Sequence, residues 1–151
     1  MPDAPQILYT AEATATGGRQ GPVRTSDGRV DVNLEVPKEL GGAGGPGTNP
    51  EQLFAVSYAA GLQSALFGIA AERGLDLTGT RITVRVGIGP LKREGFALAV
   101  ELDLDAPRFG RHEALDLLLR AYEVCPYSRA TRGNIEVTFG VGSAAAARDA
   151  A

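Results

Sequence analysis

Residues 50–73 read PEQLFAVSYAAGLQSALFGIAAER, and no charged residue lies between Glu51 and Glu72. Pro50 suits the first turn of a helix, and Glu51 complements the positive end of the helix dipole. The run therefore predicts one helix of roughly 24 residues, about 36 Å long. A helix without a polar face must be covered on all sides, and the strands of one small chain could hardly do this. We expect two such helices to be buried together in an obligate homodimer.

The same run is long enough to be considered as a transmembrane segment. Polar and small residues interrupt it, and they favour a buried helix over a membrane span; they are Gln52, Ser57, Gly61, Gln63, Ser64 and Gly68. The first five residues, MPDAP, have no basic segment and no apolar core, so they do not resemble a signal peptide. A lone cysteine gives no sign of an oxidising compartment. We therefore expect a cytoplasmic protein without a membrane partner.

Strand patterns lie on both sides of the helix. Apolar and polar residues alternate, as in half-buried strands, over residues 7–16, 30–36, 82–88, 96–104 and 135–141. Segment 89–95, with glycine at both ends, predicts a hairpin between two of these strands. A second helix is predicted over residues 111–124. The order predicts a single α+β domain over residues 1–151, with a core at about 7–141 and a flexible tail at 143–151.

Composition and charge exclude several classes of function. The 151 residues are 44% hydrophobic and 22% charged, as in an ordinary globular domain. A net charge of −3 argues against nucleic acid as a partner, because phosphate binding needs a concentrated basic face. One histidine, His112, and one cysteine do not form a metal site. We expect neither a metal nor an organic cofactor.

The glycine-rich segment GGAGGPG at residues 41–47 matches the G-x-G-x-x-G pattern of dinucleotide sites. Such a site needs a parallel strand after the following helix, with an acidic residue at its end. The strand that starts near Arg81 ends in GIGP without a carboxylate, and Pro46 removes a backbone donor. The segment is therefore interpreted as a sharp turn that leads into the buried helix.

Cys125 is the only cysteine of the chain. It continues the apolar stripe of the second helix, three residues after Tyr122, so it could be a small buried hydrophobic residue at a helix end. The alternative is a redox thiol. A thiolate that attacks an oxidant becomes a sulfenic acid, and a second thiol then closes a disulfide. One sulfur supports only half of that cycle.

Three blocks of sequence closely resemble the organic hydroperoxide resistance (Ohr) family of the OsmC superfamily. They are YTAEATATGGR at 9–19, ELGGAGGPGTNPEQLF at 39–54 and VCPYSRATRGNI at 124–135. The resemblance implies an α+β OsmC/Ohr-like fold with antiparallel sheets wrapped around a long central helix, in an intertwined homodimer with two active sites at the interface. It also implies thiol-dependent reduction of organic and fatty-acid hydroperoxides in oxidative stress defence. Dihydrolipoyl groups on partner proteins would regenerate the thiols.

The resemblance also implies roles for four positions. Arg19 corresponds to the arginine that stabilises the reactive thiolate, and Glu51 to the carboxylate that orients this arginine. Cys125 corresponds to the resolving cysteine. The peroxidatic cysteine of the family follows a tyrosine-alanine run, and its place here is taken by Gly61. Glu51 and Gly61 are about 15 Å apart by helical rise, so we expect the Glu51 of each site to come from the other subunit.

Gly61 also has a purely structural interpretation. A glycine in mid-helix costs up to about 1 kcal/mol relative to alanine, and close approach of another backbone in the dimer core would explain it. Three functions remain open. The chain is an Ohr protein whose cycle is disabled or partly taken over by Cys125, or a redox-silent relative that binds a hydrophobic molecule at the dimer interface, or a stable dimeric scaffold.

Overall fold

A computed structural model describes residues 4–142, so the predicted tail at 143–151 lies outside the described residues. The chain divides into two compact units, and the boundary lies between Pro50 and Glu51. The single domain expected over residues 1–151 stays a prediction.

The first unit contains a three-stranded antiparallel sheet. Its strands are β1 (Ala13–Ala15), β2 (Gly21–Thr25) and β3 (Asp31–Leu34), in that spatial order, and a short 3-10 helix follows at Lys38–Leu40. Val23 of β2 pairs with Ala15 on one side and Val32 on the other. The predicted strand at 7–16 was wrong in extent, because only three of its residues pair. Ile7, Leu8 and Tyr9 are instead largely exposed.

The second unit contains the long helix and a second sheet. Its elements are α1 (Pro50–Arg73), β4 (Arg81–Pro90), β5 (Phe96–Asp105), α2 (Arg111–Val124), α3 (Pro126–Thr131) and β6 (Glu136–Val141). The bounds predicted for α1 and α2 are confirmed. The β4–β5 hairpin is also present, with Val84 opposite Leu102, although β4 extends two residues further than predicted, to Pro90.

The second sheet is mixed, which corrects the expectation of antiparallel sheets. β6 runs parallel to β5, with Val137 opposite Val100. The chain between these strands passes through α2 and α3, and a crossover of this kind returns the next strand in the same direction. The architecture is α+β, with a long helix and two small sheets.

The core of the second unit is built on one stripe of α1. Its fully or nearly fully buried residues lie four apart, at Tyr58, Leu62, Leu66 and Ala70. Tyr58, Leu62 and Leu66 belong to one apolar cluster with residues of β5 and α2, among them Val100, Leu102, Leu104, Leu118 and Ala121. The other faces of α1 remain open, since Val56 is 68% and Phe67 50% exposed. By length and composition α1 could cross a bilayer, but core helices of soluble proteins meet the same test.

Candidate functional site

Gly61 lies on α1 directly under the ring of Tyr127 from α3. A Cβ atom at position 61 would overlap the Cδ2 and Cε2 atoms of this ring, and it would lie 3.7 Å from Cγ. The ring therefore occupies the space that a side chain at position 61 would need. Within this chain, an aromatic side chain approaches Gly61 closely; the alternative of another backbone in a dimer core stays a prediction.

A buried hydrogen-bond network ties α3 to α1 beside this contact. The Tyr58 phenol is fully buried and donates to Ser128 Oγ at 2.9 Å, and Thr131 Oγ1 lies 3.3 Å away. Thr131 in turn donates to the backbone carbonyl of Tyr127 at 3.1 Å. Burial raises the pKa of the Tyr58 phenol above its ordinary value, although the hydrogen bonds to Ser128 and Thr131 oppose the shift. The phenol is therefore neutral at physiological pH and fixes the position of α3.

Cys125 lies at the junction of α2 and α3. Its amide donates to the carbonyl of Ala121 at 2.9 Å and so closes α2, while its carbonyl accepts from the amide of Arg129 at 3.0 Å and opens α3. Pro126 follows at the first helical position, where no amide hydrogen is needed. The Cys125 side chain is completely buried in the apolar cluster, which confirms the interpretation of a buried residue at a helix end. Its role as a resolving thiol stays a prediction.

A groove of about 440 Å³ starts at Gly61 and runs along α1. Its floor consists mainly of small and apolar side chains, and Ser64 and Glu72 add polar groups; the lining residues are Gly61, Ser64, Ala65, Gly68, Ile69, Glu72, Val124 and Pro126. Val124 and Pro126 flank Cys125 in sequence. Gly61 and the residues on both sides of Cys125 therefore line the same groove.

Arg19 and Glu51 lie in different units, and their joint role stays a prediction. Arg19 lies in a tight turn before β2, in which the Gln20 amide donates to the Gly17 carbonyl at 3.0 Å. A Cβ atom on Gly17 would overlap the Gln20 carbonyl oxygen, so the turn requires glycine. Glu51 lies in the first turn of α1.

The glycine-rich segment at 41–47 folds around a carboxylate of the protein itself. The Gly47 amide donates to Glu35, and a Cβ atom on Gly45 would run into the same carboxylate. The Gly47 amide thus already has a carboxylate of the same chain as its acceptor. The strand after α1, β4, is antiparallel to its neighbour β5, so the interpretation of this segment as a turn is confirmed.

His112 lies in the first turn of α2 and lines a second groove of about 410 Å³, together with Arg73, Phe109 and Asp116. Within residues 4–142, no three His, Cys, Asp or Glu side chains come together as metal ligands. No residue of the first groove belongs to this second one.

Comparison with known proteins identifies the family. Residues 41–140 match the family of OsmC-like proteins. The chain is 50% identical, over 139 residues, to an organic hydroperoxide resistance protein of Xanthomonas axonopodis pv. citri; the match covers 91% of this chain and 97% of the relative. The chain belongs to the Ohr family. The family resemblance suggested by the three sequence blocks is thereby confirmed, and with it a family of oxidative stress defence.

Solved structures of Ohr proteins share the fold. An organic hydroperoxide resistance protein of Legionella pneumophila superimposes with a TM-score of 0.85 at 43% identity, and the match covers 90% of this chain and 98% of that chain. A second, from Vibrio cholerae O1 biovar El Tor, has a TM-score of 0.85 at 44% identity, covers 91% and 94%, and holds a molecule of captopril in one of its active sites.

The Ohr sequence blocks did not reveal the roles of Tyr58, Tyr127 and Ser128. Tyr127 and Ser128 lie in the third block, whereas Tyr58 lies outside the blocks and begins the buried four-residue stripe of α1. That periodicity was the available signal for its burial. No local pattern indicated the contact of Tyr127 with Gly61.

Proposed function

We propose that this chain is an Ohr-family protein in which Gly61 replaces the peroxidatic cysteine, so that two-thiol reduction of organic hydroperoxides is abolished or altered. The observation that carries the proposal is 50% identity to an organic hydroperoxide resistance protein over nearly the whole chain, combined with a single cysteine, Cys125. The position after Tyr58-Ala59-Ala60, where the family resemblance places the nucleophile, holds no sulfur. The proposed location is the cytoplasm.

The step that this chain would lack is the first step of the cycle, the attack of a thiolate on the hydroperoxide. A thiolate at position 61 would attack the terminal oxygen of a hydroperoxide, so that the O–O bond breaks and a sulfenic acid forms. The alkoxide that leaves would take a proton from water and become an alcohol. The Cys125 thiol would then displace water and close a disulfide, and a dihydrolipoyl group on a partner protein would reduce that disulfide. Without the first thiol, Cys125 has no partner. It can act only as a one-cysteine peroxidase, for which its complete burial leaves little access.

The remaining groups would suit a thiolate. A guanidinium such as that of Arg19 favours the charged form of a nearby thiol and lowers its pKa. Because α1 is one continuous helix, Glu51 lies about 15 Å from position 61 along its own chain. The proposed site therefore takes Glu51 from the second subunit of a homodimer.

The test is hydroperoxide consumption with dihydrolipoamide as reductant. Gly61→Cys should consume cumene hydroperoxide at least roughly 10³-fold faster than the unmodified chain, because loss of a catalytic nucleophile costs at least that factor. Gly61→Ser is the matched control, since it adds a side chain of similar size without a nucleophilic thiol, and it should stay inactive. Residual activity of the unmodified chain that disappears in Cys125→Ser would identify Cys125 as a working nucleophile.

A folded Gly61→Cys protein that is no more active than Gly61→Ser would contradict the proposal. Folding is checked by circular dichroism and by an unchanged elution volume. Under that outcome, restoring the thiol would be insufficient, and the site would also lack other groups that the reaction needs.

A second candidate is a redox-silent protein that binds a hydrophobic small molecule. Two observations favour it, namely the open groove beside Gly61, with mostly apolar lining, and captopril in an active site of the Vibrio cholerae relative. The unmodified chain should then bind lauric acid saturably in titration calorimetry. Gly68→Leu should weaken this binding, because Gly68 lines the groove. No heat of binding at millimolar ligand would remove this candidate.

A further inference from the structure

The space above Gly61 is filled rather than empty. A Cβ atom there would overlap two ring carbons of Tyr127. Real Cβ atoms do not come this close to other carbons, because packed interiors leave no room for such overlap. Any side chain at position 61 therefore requires the Tyr127 ring to move.

The backbone that carries this ring is fixed. Ser128, the next residue, accepts a hydrogen bond from the buried Tyr58 phenol, and Thr131 donates to the carbonyl of Tyr127 itself. The Arg129 amide donates to the Cys125 carbonyl and holds the first turn of α3. The required movement must therefore come from rotation of the Tyr127 side chain, and not from displacement of α3.

Within its own chain, the Tyr127 side chain is not fully enclosed. Tyr127 is 38% exposed, in contrast to the completely buried ring of Tyr58, whose centroid lies 6.1 Å away. A partly exposed aromatic side chain can change to another staggered rotamer without opening a cavity in the core.

We propose that Tyr127 is a gate over position 61. Its ring lies on the Gly61 backbone when this position has no side chain, and it swings towards solvent when the position is occupied. The gate concerns the same site as the proposed function and rests on it. A hydroperoxide could reach an atom at position 61 only when the Tyr127 ring moves outward. The space available at the site then depends on the position of the Tyr127 ring as well as on the residue at position 61.

Tyrosine nitration by tetranitromethane, mapped by mass spectrometry of peptides, measures the position of the ring. The experiment uses the full chain with Cys125→Ser, because the reagent also oxidises thiols. Gly61→Ala and Gly61→Val should raise the nitration rate of Tyr127 roughly two- to threefold, the ratio of full exposure to 38%. The buried Tyr58 should stay unreactive in every variant.

Gly89→Ala is the control. Gly89 lies in β4, outside α1 and outside the groove, and a Cβ atom there would meet nothing within 4 Å. The Tyr127 rate should therefore stay unchanged in this variant. An unchanged Tyr127 rate in Gly61→Val, with Tyr58 still protected, would overturn the gate.

Thermal denaturation provides a second measurement that needs no reagent. With Tyr127 present, the steric cost should cancel the gain in helix propensity, so Gly61→Ala should leave Tm unchanged or lower it. In a Tyr127→Ala background the same substitution should raise Tm, as alanine does in an unobstructed helix. Equal shifts in both backgrounds would overturn the gate. Neither measurement depends on peroxidase activity, so a failed gate and a failed Ohr function remain distinguishable.

Discussion

Tyr58 is the residue on which the geometry around Gly61 depends. Its ring is part of the apolar stripe of α1, yet its hydroxyl provides the side-chain hydrogen bond that α3 receives from this helix. A buried hydroxyl is stabilising only while it is bonded, because an unpaired one pays its full desolvation cost. Tyr58 thus links the packing of the core to the placement of Cys125 and Tyr127.

Tyr58→Phe should lower the free energy of unfolding by about 1–2 kcal/mol, because it removes one hydrogen bond and leaves the buried Ser128 hydroxyl without its donor. Urea denaturation measures this difference. Tyr9→Phe is the matched control, since Tyr9 is 78% exposed, and it should change stability by less than about 0.5 kcal/mol. Equal stability of Tyr58→Phe and the unmodified chain would contradict the network.

The stability difference between Tyr58→Phe and the unmodified chain should also depend on pH. The folded-state pKa of Tyr58 is raised above the ordinary value of 10.0, so at alkaline pH the folded chain holds its phenolic proton more tightly than the unfolded chain. The contribution of Tyr58 to stability is therefore complete below about pH 10 and decreases as the pH rises towards the folded-state pKa. The stability difference between the unmodified chain and Tyr58→Phe should shrink above that pH.

At the scale of elements, the sequence predicted what depends on local pattern. The bounds of α1 follow from Pro50 and an uninterrupted apolar run, and those of α2 from its periodic leucines. β2 and α3 escaped prediction for identifiable reasons. β2 starts with Gly21-Pro22, which resembles a turn, and α3 has only six residues, too few to show a period. The extent of β1 is set by its partner strand rather than by its own alternation.

The candidate site was likewise only partly predictable from the sequence. The family resemblance assigned roles to Gly61 and Cys125, and in the structure Gly61 and the residues that flank Cys125 line one groove. The Tyr127 ring over Gly61 could not be predicted, because the two residues are 66 positions apart in the chain. Such a contact depends on how α3 packs against α1, which no local propensity encodes.

At the scale of the whole molecule, α1 exposes apolar side chains to water, which is energetically unfavourable. Val56 and Phe67 are half or more exposed on a helix that lacks a polar face. Gly68 costs helix stability, yet a Cβ atom there would meet nothing in its own chain. Glycine at an exposed, apolar position is explained if a second backbone approaches closely, as in a dimer that packs two α1 helices together.

We therefore expect sedimentation equilibrium at micromolar concentration to give twice the 15.7 kDa mass of one chain. Val56→Glu and Phe67→Glu should shift the protein to monomer, because each would bury an unpaired charge between the helices. Leu91→Glu is the control, since Leu91 is 54% exposed outside α1, and it should remain dimeric. If Glu51 crosses to the other subunit, the monomeric variants should also lose the activity restored by Gly61→Cys. A monomeric unmodified chain, or a Gly61→Cys monomer with full activity, would contradict the shared site.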